Sequence, residues 1–220
     1  MAVRLLKLFA IASLLALAAG CTTPKRSLDY SAFKASQPRS IVVLPPLNES
    51  PDAGATYGML SQVTAPLAEA GYYVLPVALV DETFRQNGLT VAGDIHGVPV
   101  DRLRQIFGAD AALYIKVSQY GGKYKVLDSA AVVAADAKLV DLKTGRTLWT
   151  GEASASSKER YDIWVGGVIG MLATAAVKQI INSATDQSHD VAGITATRLL
   201  SAGQPDGLLY GPRSPRYGTD

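Results

Sequence analysis

The strongest constraint on the fold is a strand, a helix and a second strand in quick succession near the start of the chain. Residues 41–44 (IVVL) form a short apolar run, typical of a strand buried on both faces, and Pro45 ends it. Apolar residues then recur at helical spacing over residues 56–70, before a second apolar run at residues 72–77 (YYVLPV). A strand, a helix and a strand within about 35 residues form a βαβ unit, so we expect parallel strands.

The middle of the chain predicts antiparallel pairing. A short helix is expected over residues 99–108, and residues 109–155 then form a β-meander. In residues 113–118 apolar and polar side chains alternate, which gives a strand two unlike faces. Gly145 suits the left-handed position of a hairpin turn in the segment DLKTGR. A βαβ unit joined to a meander predicts an α/β (α+β mixed) domain with a central mixed β-sheet and packed helices.

A long apolar segment follows the meander. Residues 163–181 are apolar nearly all round, and their uncharged part, residues 163–177, is short for a membrane span. Gly166 and Gly170 lie four residues apart, a spacing that lets a second helix approach closely in membrane dimers. The alternative is a core helix that lies on the sheet.

The end of the chain predicts one more helix and an irregular tail. The helix is expected from about Ser188 to Leu200. Residues 203–220 are rich in Gly and Pro and contain the apolar residues 208–210, which we expect to dock on the domain. The predicted organisation is a signal peptide (residues 1–20), a lipidated tether (21–38), a single α/β domain (39–202) and the tail (203–220).

The first residues have the pattern of a bacterial lipoprotein signal. Arg4 and Lys7 form a basic start, and residues 8–19 are uncharged and rich in Leu and Ala. Small residues precede Cys21, as in a lipobox, although Ala18 stands where a large aliphatic residue is usual. Cys21 is the only cysteine in the chain, so we expect it to carry the lipid, and no intramolecular disulfide can form. The alternative is an ordinary signal peptide that leaves a free thiol.

The lipid anchor also predicts a location. Two or more acyl chains hold a protein stably on a membrane, whereas one chain gives only marginal binding. Thr22 follows the cysteine where an aspartate usually retains a lipoprotein in the inner membrane. We therefore expect a lipid-anchored domain on the periplasmic face of the outer membrane.

The charge balance excludes one class of partner. The formal net charge is +2, from 21 basic and 19 acidic side chains. Without residues 1–20, which contain Arg4 and Lys7 and no acid, the remaining chain has equal numbers of each. Nucleic-acid binding needs a basic surface that neutralises phosphates, so we expect no nucleic-acid partner.

Candidate catalytic and metal-binding residues are sparse. His96 and His189 are the only histidines, and a zinc site needs three or four His, Cys or acidic ligands. Ser188, His189 and Asp190 suggest a hydrolytic triad, but no G-x-S-x-G motif is present, and Ser188 also suits a helix N-cap. The glycine-rich stretches do not match phosphate-binding loops. We expect no enzyme activity, no cofactor and no metal.

Binding residues are easier to nominate. The loop PPLNESPDAG leaves the end of a strand that is expected to be parallel, where α/β sheets usually place ligands. Asn48, Glu49 and Ser50 are its candidate binding groups, the alternative being a polar turn that caps the next helix. Five tyrosines form either an exposed aromatic stripe on the sheet or cross-strand packing. They are Tyr72, Tyr73, Tyr114, Tyr120 and Tyr124.

Several segments resemble a known family. They are IVVLPPLNES, PLAEAGYYVLPVALVDETFRQNGL, FGADAALYIKV, LVDLKTGRTLW and LLYGPRSP. They resemble a family of bacterial lipoproteins, typified by a neisserial vaccine-antigen candidate, whose biochemical function is not established. That family is similar in fold to the N-terminal domain of TolB, to the curli secretion lipoprotein CsgG and to lipoprotein activators of penicillin-binding proteins. The resemblance implies a periplasmic α/β sandwich that binds other envelope components, often as an oligomer, and it supplies no catalytic residues.

These observations favour an interaction protein. We expect an outer-membrane-anchored periplasmic lipoprotein that acts as an accessory in envelope assembly or secretion, with envelope proteins or further copies of itself as partners. The alternative is a carrier that binds a lipid or other hydrophobic ligand between the final helices and the sheet. A hydrolase that uses His189 is a third hypothesis.

Overall fold

A mixed β-sheet lies at the centre of the domain. The computed structural model describes residues 28–125, 128–157 and 187–220. In those residues six strands form one sheet in the order β3-β1-β4-β5-β6, with β2 paired to β4. The strands are β1 (Ser40–Val43), β2 (Leu47–Asn48), β3 (Tyr73–Val74), β4 (Ala111–Lys125), β5 (Asp128–Asp141) and β6 (Thr147–Ser156). The helices are α1 (Ser31–Ser36), α2 (Ala55–Leu60), α3 (Thr64–Glu69), α4 (Val77–Gln86), α5 (Ala92–His96), α6 (Val100–Phe107) and α7 (Gln187–Leu200).

The predicted βαβ unit is confirmed. β1 is parallel both to β3, where Ile41 pairs with Val74, and to β4, where Ile41 pairs with Ala111. β4, β5 and β6 then pair antiparallel, as the meander predicted. Because β1 lies inside the sheet with helices on both faces, its apolar side chains are fully buried on both sides.

The two faces of the sheet carry separate apolar cores. On one face α1, α2, α3, α7 and the tail pack on the sheet. On the other face α4, α5 and α6 pack on β1 and on the nearest ends of β4 and β5. This second helical layer does not extend over the middle of β4, β5 and β6, where Ser118, Lys138 and Thr150 are exposed. The uncovered part of the sheet is the setting of the candidate site.

The helices begin and end largely where local chemistry predicts. α6 begins after Pro99 and ends at Gly108. The helical pattern over residues 56–70 divides into α2 and α3, and α3 begins at Thr64 so that Pro66 falls in its first turn. α5 lies between α4 and α6, where burying Ile95 against the second core stabilises a short helix.

The segment expected to be a tether belongs in part to the domain. Residues 28–38 contain α1, whose Phe33 is buried in the first core. The hydroxyl of Tyr30 donates to the carbonyl of Gly207 at 2.5 Å, and the hydroxyl of Ser36 donates to the carboxylate of Asp141. The described domain therefore starts by residue 28 rather than at residue 39, because a buried aromatic side chain and four hydrogen bonds to distant residues fix this segment in place.

The C-terminal tail also packs on the domain, as its apolar residues predicted. Leu208 is 1% exposed, and the Tyr72 hydroxyl donates to the carbonyl of Leu209 at 2.6 Å. Gly211 donates its N–H to the carbonyl of Ala70. A Cβ at Gly211 would lie 2.6 Å from the Gly71 backbone, so only glycine permits this approach. Residues 203–220 are thus a structural part of the fold.

We expect Leu208→Ala to lower the free energy of unfolding by about 2–5 kcal/mol, because it removes a buried side chain and leaves a cavity under the tail. Urea unfolding followed by circular dichroism measures the change. Leu79→Ala is the matched control, since Leu79 is 65% exposed and its truncation is expected to change stability little. Equal stability of the two variants would contradict the docking of the tail.

The contact between α1 and the β5–β6 turn predicts a pH dependence. Burial raises the pKa of Asp141, but hydrogen bonds from Ser36, Thr144 and Lys143 outweigh burial and hold the pKa below its ordinary value of 3.8. Because the pKa is lower in the folded state, the ionised carboxylate stabilises the fold at every pH above the pKa of the unfolded chain. This contribution is lost as the pH falls through the pKa of the folded state.

We expect Asp141→Asn to be less stable than the native chain by about 1–2 kcal/mol at pH 7, because a charged acceptor is lost. The difference should shrink as the pH falls below about 4. Urea unfolding from pH 3 to pH 7 measures it, with Asp101→Asn on the exposed surface of α6 as the control. A difference that is constant across this pH range would contradict the role of the Asp141 carboxylate.

Candidate functional site

An open groove lies on the uncovered face of the sheet, where α5 and the segment after β1 meet β4, β5 and β6. We call it the sheet groove. Its volume is about 620 Å³, within the range of ligand pockets. Its polar lining residues are His96, Tyr114, Lys116, Asp136, Lys138, Thr150 and Glu152.

One end of the sheet groove is aromatic and basic. Tyr114 on β4 pairs across the strands with Lys138 on β5, which pairs with Thr150 on β6, so the three side chains share one face. The Lys138 Nζ lies 4.9 Å from the centre of the Tyr114 ring, within reach of a cation–π interaction. The His96 ring meets the same tyrosine edge to face, with ring centres 5.2 Å apart.

Burial keeps the aromatic end uncharged apart from Lys138. Burial lowers the pKa of His96 from its ordinary value of 6.5; a hydrogen bond to the carbonyl of Pro45 opposes the shift, and nearby Lys138 adds to it. Burial also raises the pKa of the Tyr114 hydroxyl. At neutral pH the imidazole is therefore neutral and its Nε2–H donates to the Pro45 carbonyl at 2.9 Å. The Tyr114 phenol keeps its proton and remains a donor.

The other end of the sheet groove is a row of charges. The Lys116 Nζ lies 3.6 Å from a Glu49 carboxylate oxygen and 3.9 Å from an Asp136 carboxylate oxygen. Asp136 is directly opposite Glu152 on β6, so two acids are cross-strand neighbours. Among the described residues, Lys138 and Glu152 form no ion pair. The groove therefore presents one unpaired cation and one unpaired anion on adjacent cross-strand rows.

Comparison with known proteins identifies the family. The family model described as "Putative lipoprotein GNA1162-like" matches residues 28–213. The chain belongs to this lipoprotein family. It is therefore a member of a group of membrane-anchored envelope proteins, as the segments quoted above predicted.

Two relatives show how far the similarity extends. The chain is 50% identical over 203 residues to "Putative lipoprotein NMB1124/NMB1162" of Neisseria meningitidis serogroup B, covering 92% of this chain and 94% of the relative. The crystal structure of lipoprotein GNA1162 from Neisseria meningitidis is 54% identical, with a TM-score of 0.53. That match covers 66% of this chain and 100% of the solved one. These similarities confirm the fold class of the lipoprotein.

The predicted binding loop borders the sheet groove, which its Leu47 lines. The Asn48 side chain accepts from the backbone N–H of Ser50 at 2.8 Å and donates to the carbonyl of Asp52 at 2.7 Å. The Ser50 hydroxyl also donates to Asn48. Asn48 and Ser50 thus stabilise the turn, which is the structural alternative, whereas Glu49 reaches Lys116 at the edge of the groove.

Other nominated residues lie elsewhere. Cys21, Gly166 and Gly170 are outside the described residues. The Nε2 of His189 lies 2.6 Å from the Gln62 side-chain amide nitrogen, so this ring is engaged in a contact between α7 and the end of α2. The prediction of an exposed tyrosine stripe is wrong for three of its tyrosines. Tyr73 is 45% exposed, whereas Tyr72, Tyr114 and Tyr120 are buried.

On the face of the sheet opposite the groove, α7 packs directly on the strands. Val191, Ala196 and Leu200 are buried against the sheet, and the Thr195 hydroxyl lies 3.2 Å from the Val133 carbonyl. In the described ranges, no helix is long and apolar enough to cross a membrane. In the same ranges, no group of three or more His, Cys, Asp and Glu side chains is placed to hold a metal ion.

Sequence reasoning missed most of the sheet groove. The alternation over residues 113–118 showed that β4 has a polar face, and residues 134–138 and 150–154 repeat the signal. Only the pairing register shows which polar residues are neighbours. Lys138 lies between Tyr114 and Thr150 because β5 is the middle strand of the meander.

We expect the pKa of His96 to lie below 6.5 and to rise in Lys138→Gln, because this substitution removes a positive charge that disfavours the imidazolium. An NMR titration of the imidazole protons measures it, with His96→Gln to assign the resonance. Lys143→Gln, on the exposed β5–β6 turn, is the control. An identical His96 titration in both lysine variants would contradict the geometry of the groove.

Proposed function

We propose that this lipoprotein is a non-catalytic accessory in envelope assembly or secretion that works through protein–protein contacts. It is anchored through lipid on Cys21, on the periplasmic face of the outer membrane. The observation that carries the proposal is the sheet groove, an open sheet face with one unpaired cation and one unpaired anion. A partner protein would supply side chains of opposite charge that pair with these two groups. The partner is either another envelope protein or a second copy of the chain.

The sequence supports the proposed location. The basic start, the apolar segment and the single cysteine fit a lipoprotein signal, and the family is a lipoprotein family. The residue after the cysteine is Thr22 and not an aspartate, which favours the outer membrane. Multiple acyl chains, palmitate among them, would make the anchoring stable.

The surroundings of the two histidines support a non-catalytic role. The Nε2 of His96 is engaged with the Pro45 carbonyl, and the Nε2 of His189 is engaged with Gln62. Within the described ranges, neither ring is hydrogen-bonded to a serine or threonine hydroxyl that it would activate. The polar groups of the sheet groove are instead spread over three strands, as in a contact surface.

Site-specific photocrosslinking in intact cells tests the proposal. A benzophenone amino acid is placed at Thr150, which is exposed in the groove, in the full-length lipoprotein. After irradiation, membranes are fractionated and the adducts are identified by mass spectrometry. We expect recovery with outer-membrane markers and one repeated adduct, either with an envelope protein or with the lipoprotein itself.

Two controls make the result decisive. The same amino acid at Glu69, exposed on α3 and on the opposite side of the sheet, should not give that adduct. Cys21→Ala should remove the protein from the outer-membrane fraction. Recovery of uncrosslinked monomer alone from the Thr150 variant, at native expression, would count against a role in protein contacts.

A further inference from the structure

We infer that the sheet groove binds an extended segment of a partner protein that carries one acidic and one basic side chain two residues apart. The inference rests on the function proposed above and specifies the chemistry of the partner. It follows from three features of the groove: the spacing of its rows, the polar groups that the fold leaves unused, and the way its charges are already paired.

The strands set the spacing of the two rows. Lys138 is directly opposite Thr150, and Asp136 is directly opposite Glu152, so the rows are two residues apart along β5 and β6. Two residues of a strand span about 7 Å. The centres that attract an anion and a cation are therefore separated by about the repeat of an extended chain.

The aromatic row is suited to an acidic group. Tyr114 is only 7% exposed, and among the described residues its hydroxyl makes no hydrogen bond, although it lines the groove. The Lys138 ammonium lies over the same ring without a carboxylate partner in the described structure. The Tyr114 hydroxyl, the Lys138 ammonium and the Thr150 hydroxyl are three hydrogen-bond donors that this row can offer to the carboxylate of a ligand.

The acidic row is suited to a basic group. Lys116 is already shared between Glu49 and Asp136. Glu152, which is exposed beside Asp136, has no cationic partner among the described residues. A lysine or arginine from a ligand would relieve the repulsion between these neighbouring acids.

A peptide segment satisfies both rows at once. In an extended chain, side chains at positions i and i+2 point to the same side and are about 7 Å apart, which matches the rows. A simple anion would satisfy the aromatic row and leave Glu152 unpaired. Because the groove is open, the peptide backbone can keep its hydrogen bonds to water on the solvent side.

Binding of defined peptides to the full-length lipoprotein in lipid nanodiscs tests the inference. The probe is acetyl-Gly-Glu-Gly-Lys-Gly-amide, and calorimetry compares it with peptides in which Gln replaces either Glu or Lys. We expect each replacement to weaken binding about fivefold, the effect of one partly exposed ion pair. Equal binding of the Glu-Gly-Gln peptide would indicate a simple anion site and overturn the inference, as would no binding of the probe.

Charge reversal in the protein gives a second, independent measurement. Lys138→Glu should lose affinity for the probe and prefer a Lys-Gly-Lys peptide, whereas Glu152→Lys should prefer a Glu-Gly-Glu peptide. Lys143→Glu, on the β5–β6 turn, should bind like the native protein. Circular dichroism verifies that each variant is folded. Unchanged preferences in the two groove variants would overturn the inference.

The two proposals fail separately. A repeated partner crosslinked through Thr150, without the expected peptide preference, would overturn the inferred charge pattern and leave the proposed function in place. The expected peptide preference, without any crosslinked protein in cells, would leave the groove a peptide site and contradict the proposed role in envelope assembly.

Discussion

The pairing of β4 with its neighbours organises the whole domain. Along one edge β4 is parallel to β1 and then to β2, and along the other it is antiparallel to β5 for nearly its full length. It therefore joins the βαβ half of the chain to the meander half in one sheet. The register of this strand determines which residues face each core and which face the groove, since a shift by one residue would exchange the two faces.

The two ends of the described chain stabilise the same side of the domain. α1 packs through Phe33 and contacts the β5–β6 turn at Asp141, while the tail packs along the turn at Gly71. The ends also contact each other, because Tyr30 donates to the carbonyl of Gly207. Leu28, the first described residue, is seven residues from Cys21, so a lipid on that cysteine would hold this side within about 25 Å of the membrane.

The sheet groove exists because the second helical layer is short. α4, α5 and α6 cover β1 and the near ends of β4 and β5. At the edge of this layer, His96 at the end of α5 contacts Tyr114 on β4. The exposed strands carry charges on that face instead of apolar side chains, which keeps an open sheet soluble. Among the described residues, the pairing of those charges is incomplete at Lys138 and Glu152, the two groups that the proposed partner contact uses.

The sequence by itself determined the fold class, the parallel pairing of β1 and β3, the meander and the lipoprotein family, because these follow from local periodicity, turn residues and long shared segments. It also placed Glu49 in a loop at the end of a strand. Only the tertiary structure showed that residues 28–38 belong to the domain and that Asn48 and Ser50 form hydrogen bonds within their own turn. Only it showed that Tyr114, Lys138 and Glu152 line one groove. These outcomes depend on contacts between residues far apart in the chain, and the identity of a cross-strand neighbour is set by register, which no local pattern records.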